Sequence, residues 1–211
     1  MKILITRFLG TNCDYDIFNW VQARGHTPVW GWYQDQFDSK DVDAVIIPGG
    51  FSYGDYLRSG ALAAKTPVMN SVREFARSGG PILGICNGFQ ILCESGLLPG
   101  VLLQNQSGRF IDNWQELNLI SQNSFFTKEG SATKLRIPIA HGDGRYFVDN
   151  ETLKLLEDKN QIWLKYRNNP NGSVADIAGV QSQSGRICGL MPHPERAYQK
   201  WMGSCDGEVF L

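Results

Sequence analysis

Cys86 stands where a nucleophile could form, between a short apolar run and a segment with helical periodicity. Residues 82–85 follow two glycines and a proline and predict a buried strand, while residues 87–94 predict a helix. Gly84 and Gly88 let the chain turn sharply and leave the corner side chain exposed, as in a G-x-S-x-G nucleophile elbow. A helix N-terminus favours the thiolate. Cys86 is therefore a candidate nucleophile, although the motif alone equally allows a small buried apolar residue.

A histidine and a carboxylate follow another apolar strand near the end of the chain. His193 and Glu195 are two residues apart, flanked by Pro192 and Pro194, which should hold the backbone extended. In extended backbone, residues i and i+2 point to the same side. This placement suits catalysis, in which the histidine deprotonates a thiol and the carboxylate orients the imidazole ring. Either residue alone is more simply explained as structural, but together with Cys86 they favour an enzyme with a cysteine nucleophile.

A glycine-rich loop, Pro48–Asp55, follows a predicted parallel strand and admits three interpretations. Its backbone N–H groups could complete an oxyanion hole, cradle a phosphate or form a plain turn. The Gly49-Gly50 pair lacks the G-x-G-x-x-G spacing and is followed by no G-K-[ST]. Because the ends of parallel strands meet at one edge of a sheet, this loop should lie near Cys86. We favour the oxyanion hole.

The elements that position these residues alternate between strand and helix, which predicts an α/β fold with a doubly wound, mostly parallel sheet. Between residues 101 and 146 the pattern changes to alternating strands, which we interpret as a small antiparallel excursion laid against the main sheet. Residues 180–181 and 187–191 should end the sheet with a hairpin. We expect one domain over residues 1–211, because no linker or internal repeat is visible. The predicted strands cover residues 2–8, 27–32, 42–47, 81–85, 110–121, 135–140, 162–166, 180–181 and 187–191, and the predicted helices residues 14–24, 59–64, 70–77, 87–94 and 149–159.

The composition points away from several classes of protein. A net charge of −1 offers no electrostatic attraction for nucleic acid or an anionic membrane. No apolar run approaches the roughly 20 residues of a membrane helix, and the first residues do not resemble a signal peptide. The five cysteines are odd in number and form no C-x-x-C pair, so we expect neither a disulfide framework nor a metal site. A cytoplasmic location fits best.

The motifs around these residues resemble a known family. Gly84–Gln90 resembles the nucleophile motif of class I glutamine amidotransferases, and Pro192–Glu195 resembles the His-x-Glu that completes their triad. Pro48–Arg58 and Pro138–Tyr146 are similar to loops of the glutaminase subunits that serve purine biosynthesis. The likeness covers essentially the whole chain and implies a Rossmann-like, flavodoxin-type fold.

The resemblance implies a mechanism with assigned residues. Cys86 would attack the side-chain amide of glutamine, and the backbone N–H groups of Gly50 and Asn87 would hold the oxyanion. His193, oriented by Glu195, would protonate the departing ammonia.

Two further positions correspond to family motifs, one without a change and one in a motif that differs at a single residue. Gln90 corresponds to a glutamine that helps to position the substrate. His141 lies in a motif that usually reads His-Gly-Glu-Gly, and here Asp143 replaces the glutamate, which puts the contact of that carboxylate in doubt. We expect His141 at a partner interface.

The same resemblance implies a division of labour between subunits. The chain has no Walker-type loop and no evident Mg²⁺ constellation, so it needs no cofactor of its own, and ATP and Mg²⁺ would belong to a partner synthetase. That subunit, with a small bridging subunit, would use the ammonia to convert formylglycinamide ribonucleotide to formylglycinamidine ribonucleotide. The alternatives are a stand-alone cysteine hydrolase such as a γ-glutamyl hydrolase, a glutaminase subunit of another amidotransferase, and a non-catalytic nucleotide-binding module. A DJ-1-like hydrolase fits less well, because that group places its acidic residue on a different strand.

Overall fold

A computed structural model describes the whole chain, Met1–Leu211, and contains eleven strands and four α-helices. Nine strands form one sheet in the order β2-β1-β3-β4-β11-β10-β9-β6-β7, and β5 pairs with β8 alone. The α/β class is confirmed. The strands are β1 (Lys2–Arg7), β2 (Thr27–Trp32), β3 (Ala44–Ile47), β4 (Ile82–Ile85), β5 (Val101–Leu103), β6 (Ile111–Leu119), β7 (Lys134–His141), β8 (Arg145–Phe147), β9 (Ile162–Tyr166), β10 (Ile177–Gln181) and β11 (Ile187–Leu190), and the helices are α1 (Asp14–Ala23), α2 (Pro67–Arg77), α3 (Asn87–Glu94) and α4 (Asn150–Asp158).

The first half of the sheet is parallel, as its sequence pattern predicts. β2, β1, β3, β4 and β11 are joined by parallel pairings. Every residue of β3 and β4 is buried. Strands covered on both faces carry continuous apolar runs rather than alternation, and the sequences of β3 and β4 have this character.

The prediction that residues 101–146 lie against the main sheet is wrong for the two long strands. β6 pairs with β9 and β7 pairs with β6, so both strands extend the sheet at its edge. An unpaired strand edge leaves backbone N–H and C=O groups without partners, and pairing along β9 satisfies them. The predicted hairpin of β10 and β11 is confirmed, and β9 joins it antiparallel on the other side.

The helix predicted over residues 59–64 is also wrong. Only a short 3₁₀ turn forms there, Ala63–Lys65. Gly60 has φ of +84°, and its Cα packs against the backbone of α3 near Ile91. An α-helix cannot continue through a residue in this conformation.

A single cluster of buried apolar side chains runs through both halves of the sheet, from Ile3 and Ile46 to Leu119 and Trp163. This continuity supports the prediction of one domain. None of the helices is long and apolar enough to cross a bilayer.

Candidate active site

Five strands deliver their C-terminal ends to the same edge of the sheet. β1, β3, β4 and β11 are parallel. The antiparallel pairings from β11 through β10, β9 and β6 return β7 to that direction. The C-terminal ends of these strands and the segments that follow them contain Cys13, Gly50, Cys86, His141 and His193. The topology therefore gathers residues that are far apart in the sequence.

Cys86 occupies the predicted corner between β4 and α3. Its backbone has φ of +52° and ψ of −107°, a conformation that non-glycine residues rarely adopt and that often marks a functional site. Immediately beyond it, Gly88 packs so closely that a Cβ atom would collide with the carbonyl oxygen of Ile47. The strand–turn–helix geometry of a nucleophile elbow is present.

The expected exposure of Cys86 is wrong, because only 5% of the residue is accessible. Loops from neighbouring strands cover it, and its Sγ lies 3.7 Å from the carbonyl oxygen of Ala140. The side chain faces a cavity of about 100 Å³, which is small for a nucleotide and suits an amino-acid side chain. We call this cavity the Cys86 pocket; its lining residues are Gly50, Phe51, Asp55, Cys86, Gln90, Phe110, Ala140, His141, Gly142 and Asp143.

His193 and Glu195 form a buried pair, with Nδ1 of the histidine 2.6 Å from Oε1 of the glutamate and each residue only 1% exposed. The expected extended backbone is wrong. His193 has φ of −107° and ψ of +86°, and Pro194–Arg196 forms a 3₁₀ turn that bends the carboxylate back to the imidazole. The His193 N–H donates to the carbonyl oxygen of Pro138 at 2.8 Å and anchors the turn to β7.

The protonation of His193 is set by opposing effects. Burial lowers the pKa of its imidazole, but the Glu195 carboxylate and the Cys86 sulfur outweigh burial and raise the pKa to about 10. Nε2 has no well-aligned partner within the chain, while Cys86 is close enough to contribute to the shift. The arrangement therefore favours an imidazolium at His193, and a positive charge beside a cysteine stabilises the thiolate form that acts as nucleophile.

The two predicted oxyanion donors come from different segments of the chain. The N–H of Gly50 makes no hydrogen bond within the chain, and Gly50 lines the Cys86 pocket. Asn87 is the first residue of α3, where a backbone N–H has no acceptor within the helix. Its side-chain Oδ1 accepts a hydrogen bond from the Ser52 N–H at 3.2 Å and ties the glycine-rich loop to α3. The oxyanion role of both residues stays a prediction.

Gln90 has its side-chain amide held in the pocket wall. Its Oε1 accepts a hydrogen bond from Asn87 Nδ2 at 2.8 Å, and its Nε2 donates to the carbonyl oxygen of Asp143 at 2.7 Å. The amide thus connects α3 to the turn after β7. Its substrate-positioning role stays a prediction.

His141 is 2% exposed and lines the Cys86 pocket. Burial and the nearby His193 lower the pKa of its imidazole to about 4, so it is neutral at physiological pH. Its place at a partner interface stays a prediction, since the imidazole itself faces the interior of this chain.

The sequence analysis missed two neighbours of the site. Asp55 lines the pocket although no spacing pattern marks it within the loop. Cys13, His193 and Glu195 each place a possible metal-ligand atom within 4.8 Å of the others. Burial raises the pKa of the Cys13 thiol, and Nη2 of Arg196 lies 3.1 Å from its sulfur. A neutral thiol beside a guanidinium is a poor cation ligand, so we assign no metal here.

A nucleophile elbow on a doubly wound sheet, with a buried His–Glu pair beside it, is the arrangement expected of a class I glutamine amidotransferase. The CobB/CobQ-like glutamine amidotransferase domain matches residues 1–208, and the chain belongs to this family.

Particular relatives are similar along the full length. The chain is 48% identical to phosphoribosylformylglycinamidine synthase subunit PurQ of Helicobacter hepaticus, covering 100% of this chain and 96% of the relative. Identity to the subunit of the same name from Wolinella succinogenes is also 48%, covering 100% and 98%. Among solved structures, PurLQS from Thermotoga maritima superposes with a TM-score of 0.89 at 42% identity, covering 99% of this chain and 94% of that chain. A glutamine amidotransferase from the same organism, at 20% identity and a TM-score of 0.64 over 93% and 77% of the two chains, shares the fold.

Proposed function

We propose that this chain is the glutaminase subunit of a phosphoribosylformylglycinamidine synthase. It hydrolyses glutamine to glutamate and ammonia and supplies the ammonia for ATP-dependent conversion of formylglycinamide ribonucleotide to formylglycinamidine ribonucleotide. The observation that carries the proposal is the 48% identity to PurQ subunits along the whole chain. The geometry around Cys86 supplies the chemistry that this identity requires.

The first half of the reaction forms a thioester. The Cys86 thiolate attacks the side-chain amide carbon of glutamine, and the negative charge that develops on the amide oxygen is stabilised by the N–H groups of Gly50 and Asn87. The His193 imidazolium then donates its Nε2 proton to the departing nitrogen, so that the C–N bond breaks and ammonia leaves. The Glu195 carboxylate, 2.6 Å from Nδ1, keeps the imidazole in place and stabilises its charge.

The second half consumes one water. His193, now neutral, accepts a proton from the water that attacks the γ-glutamyl thioester, and the released thiolate and imidazolium restore the starting state. Glutamine and water balance the whole hydrolysis, so the reaction requires no redox partner or metal in this chain.

The use of ammonia belongs to other chains. ATP and Mg²⁺ bind in a synthetase subunit that docks onto this one, and a small bridging subunit completes the complex. Two observations support this arrangement, namely the subunit names of the relatives and the similarity to the PurLQS structure. We place the complex in the cytoplasm, because the five free cysteines suit a reducing compartment.

The proposal is tested by separating ammonia production from its use. In the assembled complex, Cys86→Ser should lose glutamine-dependent product formation by about a thousandfold or more, because a hydroxyl is a far weaker nucleophile in a site built around a thiolate. The same complex supplied with ammonium salt at alkaline pH should still form product. Cys205→Ser, which changes a cysteine outside the pocket, is the matched control and should retain both activities.

Two outcomes would contradict the proposal. Unchanged glutamine-dependent product formation by the Cys86→Ser complex would mean that Cys86 is not the nucleophile. Full glutaminase activity of the isolated chain, without any partner, would favour a stand-alone γ-glutamyl hydrolase.

A further inference from the structure

One side of the Cys86 pocket is formed by side chains that accept hydrogen bonds. We call Asp55, His141 and Asp143 the acceptor wall; all three line the pocket, and no lysine or arginine does. The lining therefore contains two carboxyl groups and no cationic side chain to offset them. The triad accounts for the amide end of glutamine, whereas the acceptor wall is not used by any step of the hydrolysis.

The tautomer of His141 follows from its neighbour Asn105. The Asn105 amide Nδ2 donates to the carbonyl oxygens of Arg109 and His141, at 2.9 and 2.8 Å. Its Oδ1 is therefore an acceptor, bonded to the Gly144 N–H at 3.1 Å and to His141 Nδ1 at 3.0 Å. Nδ1 must carry the proton, and the neutral ring presents a lone pair at Nε2.

That lone pair has no partner. His141 is 2% exposed, and Nε2 is buried without a hydrogen bond within the chain. Buried polar atoms are nearly always satisfied, so an orphan acceptor in the wall of a ligand pocket indicates a donor on the ligand.

Asp55 offers a second acceptor of the same kind. Its Oδ1 is also buried and unpartnered. Asp143, by contrast, already accepts a hydrogen bond from the Ser59 hydroxyl at 2.7 Å. Burial and the charge of Asp143 raise the pKa of the Asp55 carboxyl to about 6, so above that pH Asp55 carries a negative charge beside Asp143 without a counter-ion. A bound cation would relieve this repulsion.

We propose that the acceptor wall binds the α-ammonium group of glutamine, with the Asp55 carboxylate as counter-ion and His141 Nε2 as a neutral acceptor. This assignment rests on the proposed glutaminase function. It places the charged end of the substrate against the wall and the amide at Cys86, within one cavity of about 100 Å³. The wall thereby selects an α-amino acid over other amides of similar size.

The experiment compares two substrates in the assembled complex. L-Glutamine is measured beside glutaramate, which keeps the amide and the terminal carboxylate but lacks the α-amino group. Removing a charge-assisted contact of this type costs about 1.5–3 kcal/mol, or roughly 10- to 150-fold. Wild type should therefore prefer glutamine in kcat/KM by at least that factor.

Asp55→Asn should abolish most of the preference. The variant keeps the shape of the side chain but not its charge, and asparagine accepts the φ of +56° found at this position. We expect kcat/KM for glutamine to fall roughly 10- to 150-fold, mainly through KM, while kcat/KM for glutaramate stays near the wild-type value. Asp158→Asn, at an exposed position of α4, is the matched control and should change neither value.

The possible results distinguish failure of the ammonium site from failure of the proposed glutaminase function. If the wild-type complex releases no ammonia from glutamine, the proposed function fails. If wild type hydrolyses both substrates with equal kcat/KM, or if Asp55→Asn lowers both by the same factor, the ammonium site fails while the glutaminase stands. The wild-type comparison remains decisive even if the variant does not assemble.

Discussion

Asp55→Asn should make the protein more stable at pH 8 although it weakens substrate binding. The pKa of the Asp55 carboxyl is raised from 3.8 to about 6 in the folded chain, mainly by burial and then by Asp143. A carboxyl with a raised pKa in the folded state carries a cost once it ionises. The asparagine side chain removes that cost.

The size of the effect follows from the shift. About two pKa units at 1.36 kcal/mol each correspond to roughly 3 kcal/mol, which we reduce to about 1–2 kcal/mol because solvent reaches part of this carboxyl. The folded state binds the proton more tightly than the unfolded state, so stability falls as the pH rises from about 4 to above 6. The advantage of the variant should be near zero at pH 4 and complete by pH 8.

Urea denaturation of wild type, Asp55→Asn and Asp158→Asn across this pH range measures the effect. Any constant advantage that asparagine gains from the positive φ of residue 55 is subtracted by comparing the two ends of the range. A difference between wild type and Asp55→Asn that does not grow between pH 4 and pH 8 would refute the electrostatic reasoning. Loss of stability at pH 8 would mean that the carboxylate has a partner in the folded chain.

Three further predictions concern the triad. A diazo-ketone analogue of glutamine should label Cys86 before the other four cysteines, because Cys86 is the one cysteine that lines the pocket. Mass-spectrometric mapping of the labelled protein measures this. Preferential labelling of another cysteine would refute the assignment. His193→Ala should lower kcat by thousands-fold. Glu195→Ala should lower kcat by a smaller factor, since the imidazole can still reach its catalytic position without the carboxylate. Steady-state kinetics of both folded variants measures the two effects, and a larger loss for Glu195→Ala would mean that the roles are misassigned. Gly49→Ala should lower kcat at least about tenfold, because the new Cβ would lie 2.9 Å from His193 Cε1 and 3.1 Å from the Cys13 sulfur. Unchanged glutaminase kinetics of Gly49→Ala would show that the imidazole tolerates displacement.

The elements whose signals are local could be predicted from the amino-acid sequence. Buried parallel strands reveal themselves as continuous apolar runs, and β3 and β4 were found within two residues of their observed bounds. The sharp turn at Cys86 could also be predicted, because glycines on both sides permit the turn and the close approach of Gly88 to Ile47. Pairing of His193 with Glu195 also follows from short spacing, although a 3₁₀ turn rather than an extended backbone produces it.

Features that depend on contacts between distant segments could not be predicted from local sequence patterns. β6 and β7 have the alternating pattern of half-buried strands, and that pattern is the same whether the strands pack against a sheet or extend it. They extend it, because β6 pairs with the otherwise free edge of β9. Burial of Cys86 comes from loops that other strands deliver to the same edge. The place of Asp55 in the pocket, and the proton on Nδ1 of His141, likewise depend on Asp143 and Asn105, which are brought close by the fold. Local periodicity records which side of an element is buried, whereas the partner that covers it is a property of the assembled chain.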